Sequence, residues 1–177
     1  MPKVLLFGPP GSGKSTVGKA LSKILGTTFT DTDALVEAQA GKKISAIFVE
    51  DGESVFRELE AEMVAKALRD ETGVLALGGG AVMNSKTQTL IEASSALKIF
   101  LEVGIAQAAP RIGFNQDRPM LLVNPRQTWI SLMQVRLPIY QRLADRTYST
   151  DSKKAYEVAE EIAVALGEAG EGVEQHD

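Results

Sequence analysis

The sequence predicts an α/β fold, a three-layer sandwich in which a parallel sheet of about five strands is flanked by helices. The first observation is alternation. Short apolar runs at residues 4–7, 28–30, 74–77 and 99–103, with a weaker one at 147–149, are separated by helical segments, the pattern of strands that cross over through helices. The second is the segment 8–16, Gly-Pro-Pro-Gly-Ser-Gly-Lys-Ser-Thr. It fits G-x-x-x-x-G-K-[ST] at every fixed position and stands between an apolar run and an amphipathic segment, the strand, loop and helix order of a phosphate-binding loop, or P-loop. The third is length, since 177 residues suit one compact domain.

Each element has a local reason. Residues 4–7 form the first strand, and residues 14–25 form a helix whose positive end points back at the loop. After the strand at 28–30, helical spacing runs over 34–40 and 44–69, with Ile47, Phe48, Val55, Phe56, Leu59, Met63 and Leu68 on an apolar stripe. Gly41 and Gly52 divide this stretch into more than one helix. The strand at 74–77 runs into Gly78-Gly79-Gly80. Past the strand at 99–103, a helix ends over 107–111. Residues 112–124, with glycine, asparagine and Pro119, make a candidate mobile lid, and helix returns over 126–144. A closing helix at 153–166 turns Ala155, Val158, Ala159, Ile162 and Leu166 inward. The reading is therefore a single P-loop domain at 1–166 with a lid at about 112–124, and an acidic tail at 167–177 expected to be disordered.

Composition narrows the class. Hydrophobic residues at 44% and charged residues at 24% are ordinary for a globular chain, and no apolar run approaches the roughly 20 residues of a membrane span. Met1-Pro2-Lys3 leads straight into the first strand and cysteine is absent, so a cytoplasmic enzyme without disulfides is expected. The net charge of −4 is carried by Glu168, Glu171, Glu174 and Asp177 in the tail, which leaves the body balanced. Six of the eight arginines, Arg111, Arg118, Arg126, Arg136, Arg142 and Arg146, crowd into one segment against only Asp117 and Asp145. A planar guanidinium fork suits phosphate and carboxylate, so the cluster reads either as anion clamps or as a solvated helix face. A neutral body without a basic, aromatic-interleaved stripe argues against nucleic acid. Nothing demands a partner chain, and a monomer is expected.

The candidate residues follow from chemistry. Glycines in the loop let N–H groups turn toward phosphate oxygens, Lys14 brings a compact cation, and the Ser15 hydroxyl is a donor for Mg²⁺. Gly11, Ser12, Gly13, Lys14, Ser15 and Thr16 are thus the candidate contacts of a nucleoside triphosphate. Asp31-Thr32-Asp33 follows the second strand at the sheet edge where ligands of open α/β folds gather. One carboxylate there is suited to hold Mg²⁺ through water and the other to take a hydroxyl proton. A helix cap at Thr32 or Asp33 is the plainer alternative and is compatible with both. Gly78, Gly79 and Gly80 allow close backbone approach to a ligand or form a turn. Arg57 with Glu53 or Glu60 is by itself an ordinary helix-surface pair. Trp129 reads as core packing and His176 as a solvated tail residue.

Taken together, the order and spacing resemble the shikimate kinases over roughly residues 3–165. The resemblance rests on the loop at 8–16, Asp31-Thr32-Asp33, Gly52-Glu53, Phe56-Arg57 with Glu60, Gly78-Gly79-Gly80, Arg118-Pro119, and Arg136 with Tyr140. It implies transfer of the γ-phosphoryl group of ATP to the 3-hydroxyl of shikimate, with Mg²⁺. It further implies that Lys14 and Ser15 hold phosphates and metal, that Asp31 lies near the metal, and that Asp33 binds the acceptor hydroxyl as its base. Arg57 and Arg136 would grip the shikimate carboxylate, Gly78, Gly79 and Gly80 line the acceptor, Arg118 reach the transferring phosphates, and Arg111 lie against adenine. Met120 in place of leucine after Arg-Pro, and a loose fit at Tyr148-Ser149-Thr150-Asp151, depart from the family pattern. A gluconate kinase-like enzyme and a nucleotide-driven binding module are the rival readings.

Overall fold

A computed structural model of the chain describes residues 1–113 and 124–171. Among these residues five parallel strands form one sheet: β1 (Val4–Phe7), β2 (Phe29–Asp31), β3 (Val74–Ala76), β4 (Leu97–Glu102) and β5 (Arg146–Ser149), in the order β2-β3-β1-β4-β5. Every pairing is parallel. The central strand has no solvated face. Leu5 and Phe7 pack with Leu75, Leu77 and Phe100 on one side, while Val4 and Leu6 pack with Val74, Ala76, Ile99 and Leu101 on the other. Burial on both faces is why these strands read as unbroken apolar runs.

The two outer layers follow from which helix stripes fit those faces. Val17 and Leu21 of α1 (Lys14–Ile24) join Val158, Ala159 and Ile162 of α8 (Ala155–Glu171) on the second face. On the first face lie α4 (Glu53–Asp70), α5 (Ser85–Ala93) and α7 (Pro125–Leu143). A satellite core joins Val36 of α2 (Thr32–Ala40), Ile47 of α3 (Ile44–Glu50), and Phe56 and Met63 of α4. The remaining helix, α6 (Ile105–Gly113), lodges Ala108 beside Val103 and Trp129.

The predicted architecture is the observed one, with adjustments at the edges. The stretch 44–69 is broken at Asp51 and Gly52 into α3 and α4, as the glycine implied. Val55, placed on the apolar stripe, is exposed. The sequence reading named no helix between the triple glycine and β4, where the chain forms a 3-10 turn, Ala81–Met83, and then α5. That helix buries only Thr87 and Ile91, and it is started by Asn84, whose Oδ1 accepts from the N–H groups of Lys86 and Thr87. The closing helix spans Ala155–Glu171, so residues 167–171 of the tail expected to be disordered are helical. Most of the candidate lid, including Arg118 and Met120, lies outside the described residues, as does the tail beyond Glu171. The flanks of the lid are described: α6 runs to Gly113, and Asn124 caps α7. No helix among the described residues is long and apolar enough to cross a membrane.

Candidate active site

The order β2-β3-β1-β4-β5 puts a topological switch point beside the C-terminal end of β1, the place where open α/β sheets bind ligands. The loop after β1 turns there. Gly13, with φ of +83°, ends it in the left-handed region and serves as the cap of α1 without a side-chain bond. A helix leaves the N–H groups of its first turn without internal acceptors, so Lys14, Ser15 and Thr16 present theirs beside the loop. The Lys14 ammonium crosses the loop and donates to the carbonyls of Gly8 at 2.9 Å and Pro9 at 3.1 Å. Ser12 is turned inward: its N–H donates to the Pro9 carbonyl at 3.2 Å, and its buried hydroxyl sits where it would meet a Cβ on Gly8.

Two flanking helices fasten the outer side of this loop. The Trp129 indole N–H donates to the Pro10 carbonyl at 2.9 Å, and Arg111 Nη1 donates to the Gly11 carbonyl at 3.0 Å. Trp129 is therefore core, as read, but it also holds the phosphate loop.

The Asp31 carboxylate uses both of its oxygens. Its Oδ1 accepts from the Asp33 N–H at 3.0 Å, so Asp31, rather than Thr32 or Asp33, caps α2. Its Oδ2 accepts from the Ser15 hydroxyl at 2.6 Å. A hydroxyl and a carboxylate side by side at the phosphate loop are hard oxygen donors that suit Mg²⁺, an ion usually bound through one or two carboxylates plus substrate phosphates and water.

Asp33 extends toward a second group of side chains. A Cβ on Gly78 would lie 2.5 Å from Asp33 Oδ1 and 2.8 Å from Glu60 Oε1, so only glycine lets both carboxylates approach there. The Arg57 guanidinium occupies the space a Cβ on Gly80 would need. Arg57 also donates from Nη1 to Glu60 at 2.7 Å, contacts Glu53 at 3.3 Å, and lies 5.0 Å from the centre of the Phe56 ring. From α7, Arg136 is 5% exposed and donates from Nη1 to the Gly79 carbonyl at 3.1 Å. Most of these groups line one cavity of about 460 Å³. Lys14, Ser15 and Asp31 line one part of it, and Asp33, Arg57, Glu60, Gly79, Gly80 and Arg136 line another. Gly11, Gly13, Thr16 and Arg111 also reach the cavity, whereas Ser12 and Gly78 stand one layer back.

Glu60, expected only as a helix-surface partner of Arg57, is paired with it but buried. It sits in phase with Phe56, Met63, Val64 and Ala67 on the buried stripe of α4, so a carboxylate on a core position was the available signal. Burial pushes its carboxyl up from the ordinary 4.5, and the neighbouring Arg57 only partly offsets this. The folded chain thus holds that proton more tightly than the unfolded chain does. Its stabilising contribution is complete below the ordinary value and is lost as pH rises through the raised one. In thermal melts of wild type and Glu60→Gln between about pH 4 and pH 8, the Tm gap should therefore move in favour of wild type as pH falls. A gap independent of pH would mean that Glu60 titrates as an ordinary carboxyl.

A phosphate loop that shares one cavity with three carboxylates and three guanidinium groups defines the class: a P-loop phosphotransferase acting on a small molecule. Comparison with known proteins narrows it, because the family model described as Shikimate kinase matches residues 10–167. The chain belongs to the shikimate kinase family. It is 49% identical to the shikimate kinase of Thermobifida fusca over 96% of this chain and 98% of that one. With the enzyme of Salinispora arenicola it shares 47% identity over 93% and 98% of the two chains. The structure of shikimate kinase from Acinetobacter baumannii in complex with shikimate superposes with a TM-score of 0.91 at 30% identity, covering 96% of this chain and 94% of that one.

Proposed function

We propose that the two halves of the cavity divide the shikimate kinase reaction between them. The donor half, with the N–H groups of the loop, Lys14 and Ser15, holds the phosphates of ATP, and Arg111 lies toward the adenine. The acceptor half holds shikimate, with Arg57 and Arg136 on the carboxylate, Gly79 and Gly80 forming the floor with Gly78 behind them, and Asp33 at the 3-hydroxyl. The observation that carries this reading is the position of Asp33. It lies at the junction of the two halves, two residues from the Asp31 that meets Ser15, and against the glycine loop that Arg136 grips.

Phosphoryl transfer asks the protein mainly for alignment and charge neutralisation. The acceptor oxygen forms its bond to phosphorus as the bond from phosphorus to the ADP oxygen breaks, and Asp33 receives the hydroxyl proton. Lys14 balances charge on the phosphates, and Arg118, placed by its Arg-Pro motif alone, does so from the lid. Ser15 and Asp31 would hold Mg²⁺, which would neutralise negative charge on the phosphates.

One assay tests the substrate: ADP release with ATP and Mg²⁺ alone, then with shikimate, gluconate or a nucleoside monophosphate added. Strong stimulation by shikimate is expected. Stimulation by gluconate with silence toward shikimate would overturn the reading.

A further inference from the structure

The triple glycine is fastened peptide by peptide. Gly78 donates its N–H to Thr32 Oγ1 at 2.9 Å, the Gly78 carbonyl accepts from Ala81 at 3.0 Å, and the Gly80 carbonyl accepts from Met83 at 2.9 Å. The Gly79 carbonyl between them takes two side-chain donors, the Tyr140 hydroxyl at 2.6 Å and Arg136 Nη1 at 3.1 Å. Both donors come from one face of α7, four residues apart. A trans peptide is planar, so the Gly79 carbonyl and the Gly80 N–H share one rigid unit and point opposite ways. Drawing the carbonyl toward α7 therefore aims the Gly80 N–H away from α7. Gly79 and Gly80 both line the cavity, and their N–H groups engage no acceptor among the described residues.

Tyr140 is built to hold that orientation. It is fully buried, and its ring stacks on Phe100 with centroids 5.1 Å apart and on Phe7 at 6.2 Å. Burial pushes the phenol up to about 12, with Arg136 opposing the shift, so the hydroxyl remains a donor at neutral pH.

We propose that Tyr140 is a positioning residue for the acceptor. Its hydroxyl orients the Gly79–Gly80 peptide and, through the shared carbonyl, steadies the Arg136 guanidinium, so that it sets affinity for the carboxylated substrate without touching it. The proposal rests on the acceptor site assigned above. It differs from the ordinary role of a buried tyrosine, whose hydroxyl only needs some partner, in what its loss would change.

Tyr140→Phe removes the hydroxyl and keeps the ring. The KM for shikimate should rise about three- to tenfold, the KM for ATP should stay within about twofold, and Tm should fall by no more than about 5 °C. An unchanged shikimate KM would overturn the proposal. So would both KM values and Tm deteriorating together, or a variant that does not fold, since either assigns the hydroxyl to stability alone. Wild type and Arg136→Ala run alongside keep the two readings apart. Wild type inert toward shikimate refutes the acceptor site itself, whereas an active wild type with a sensitive Arg136→Ala and an indifferent Tyr140→Phe refutes only the role of Tyr140.

Discussion

Asp33→Asn is expected to lower kcat by at least about 10²-fold while leaving the KM for ATP close to wild type. The geometry accounts for both halves of that result. Asn keeps the size of the side chain and can still accept a hydrogen bond from the acceptor hydroxyl, but it cannot take the proton. The backbone N–H of residue 33, which binds Asp31 Oδ1, is untouched, so the cap of α2 and the contact between Asp31 and Ser15 should survive. The estimate belongs near the low end of the range for general bases, which spans about 10²–10⁴. A loose transition state puts little early demand on deprotonation. Steady-state kinetics with each substrate varied in turn would check it. A variant within about threefold of wild-type kcat would show that Asp33 orients the acceptor without acting as a base.

Much of this architecture was legible because its signals are local. β1, β3 and β4 are covered on both faces, so each appears as an apolar run that no turn residue interrupts. The phosphate loop is one contiguous motif, and its residues sit where the motif implies. The second helix pair was separable because Gly52, with φ of +91°, stands between α3 and α4. What escaped was thin or distant. α5 buries two side chains over nine residues, too sparse a stripe to give a period, and its start depends on a cap by Asn84.

The proposed acceptor site was legible as a set of residues but not as an arrangement. Arg57 and Arg136 are far apart in sequence, and only folding brings both against the triple glycine. The most telling signal was a charge in the wrong phase. Glu60 lies on the buried stripe of α4, and Arg136 falls between Met133 and Tyr140 on the inward stripe of α7. A charged side chain at a core position is costly to bury without a partner, so such positions mark places where the fold accepts that cost for a site. The bonds from Trp129 to Pro10 and from Tyr140 to Gly79 had no comparable signal. A side chain meeting a backbone carbonyl leaves no mark on the partner's residue type.

Arg136→Ala should produce the largest loss of acceptor affinity, chiefly as a rise in the KM for shikimate. The side chain is 5% exposed, so its interaction with a substrate carboxylate would be made away from water, where truncating one partner costs about 2–5 kcal/mol. The low end of that range corresponds to roughly 30-fold in KM. Arg57 is the weaker test because removing it leaves the buried carboxylate of Glu60 without its 2.7 Å partner, so affinity and stability would fall together. Truncating Arg136 instead leaves the Gly79 carbonyl still bonded to Tyr140, and the fold should persist. Arg136→Lys separates charge from shape: it keeps the cation but loses the planar fork, and should fall between wild type and alanine. Measuring shikimate KM, ATP KM and Tm for the three proteins decides the matter. An unchanged shikimate KM in Arg136→Ala would remove Arg136 from the acceptor site, and a lysine variant as weak as alanine would mean that the two-pronged geometry, rather than the charge, holds the carboxylate.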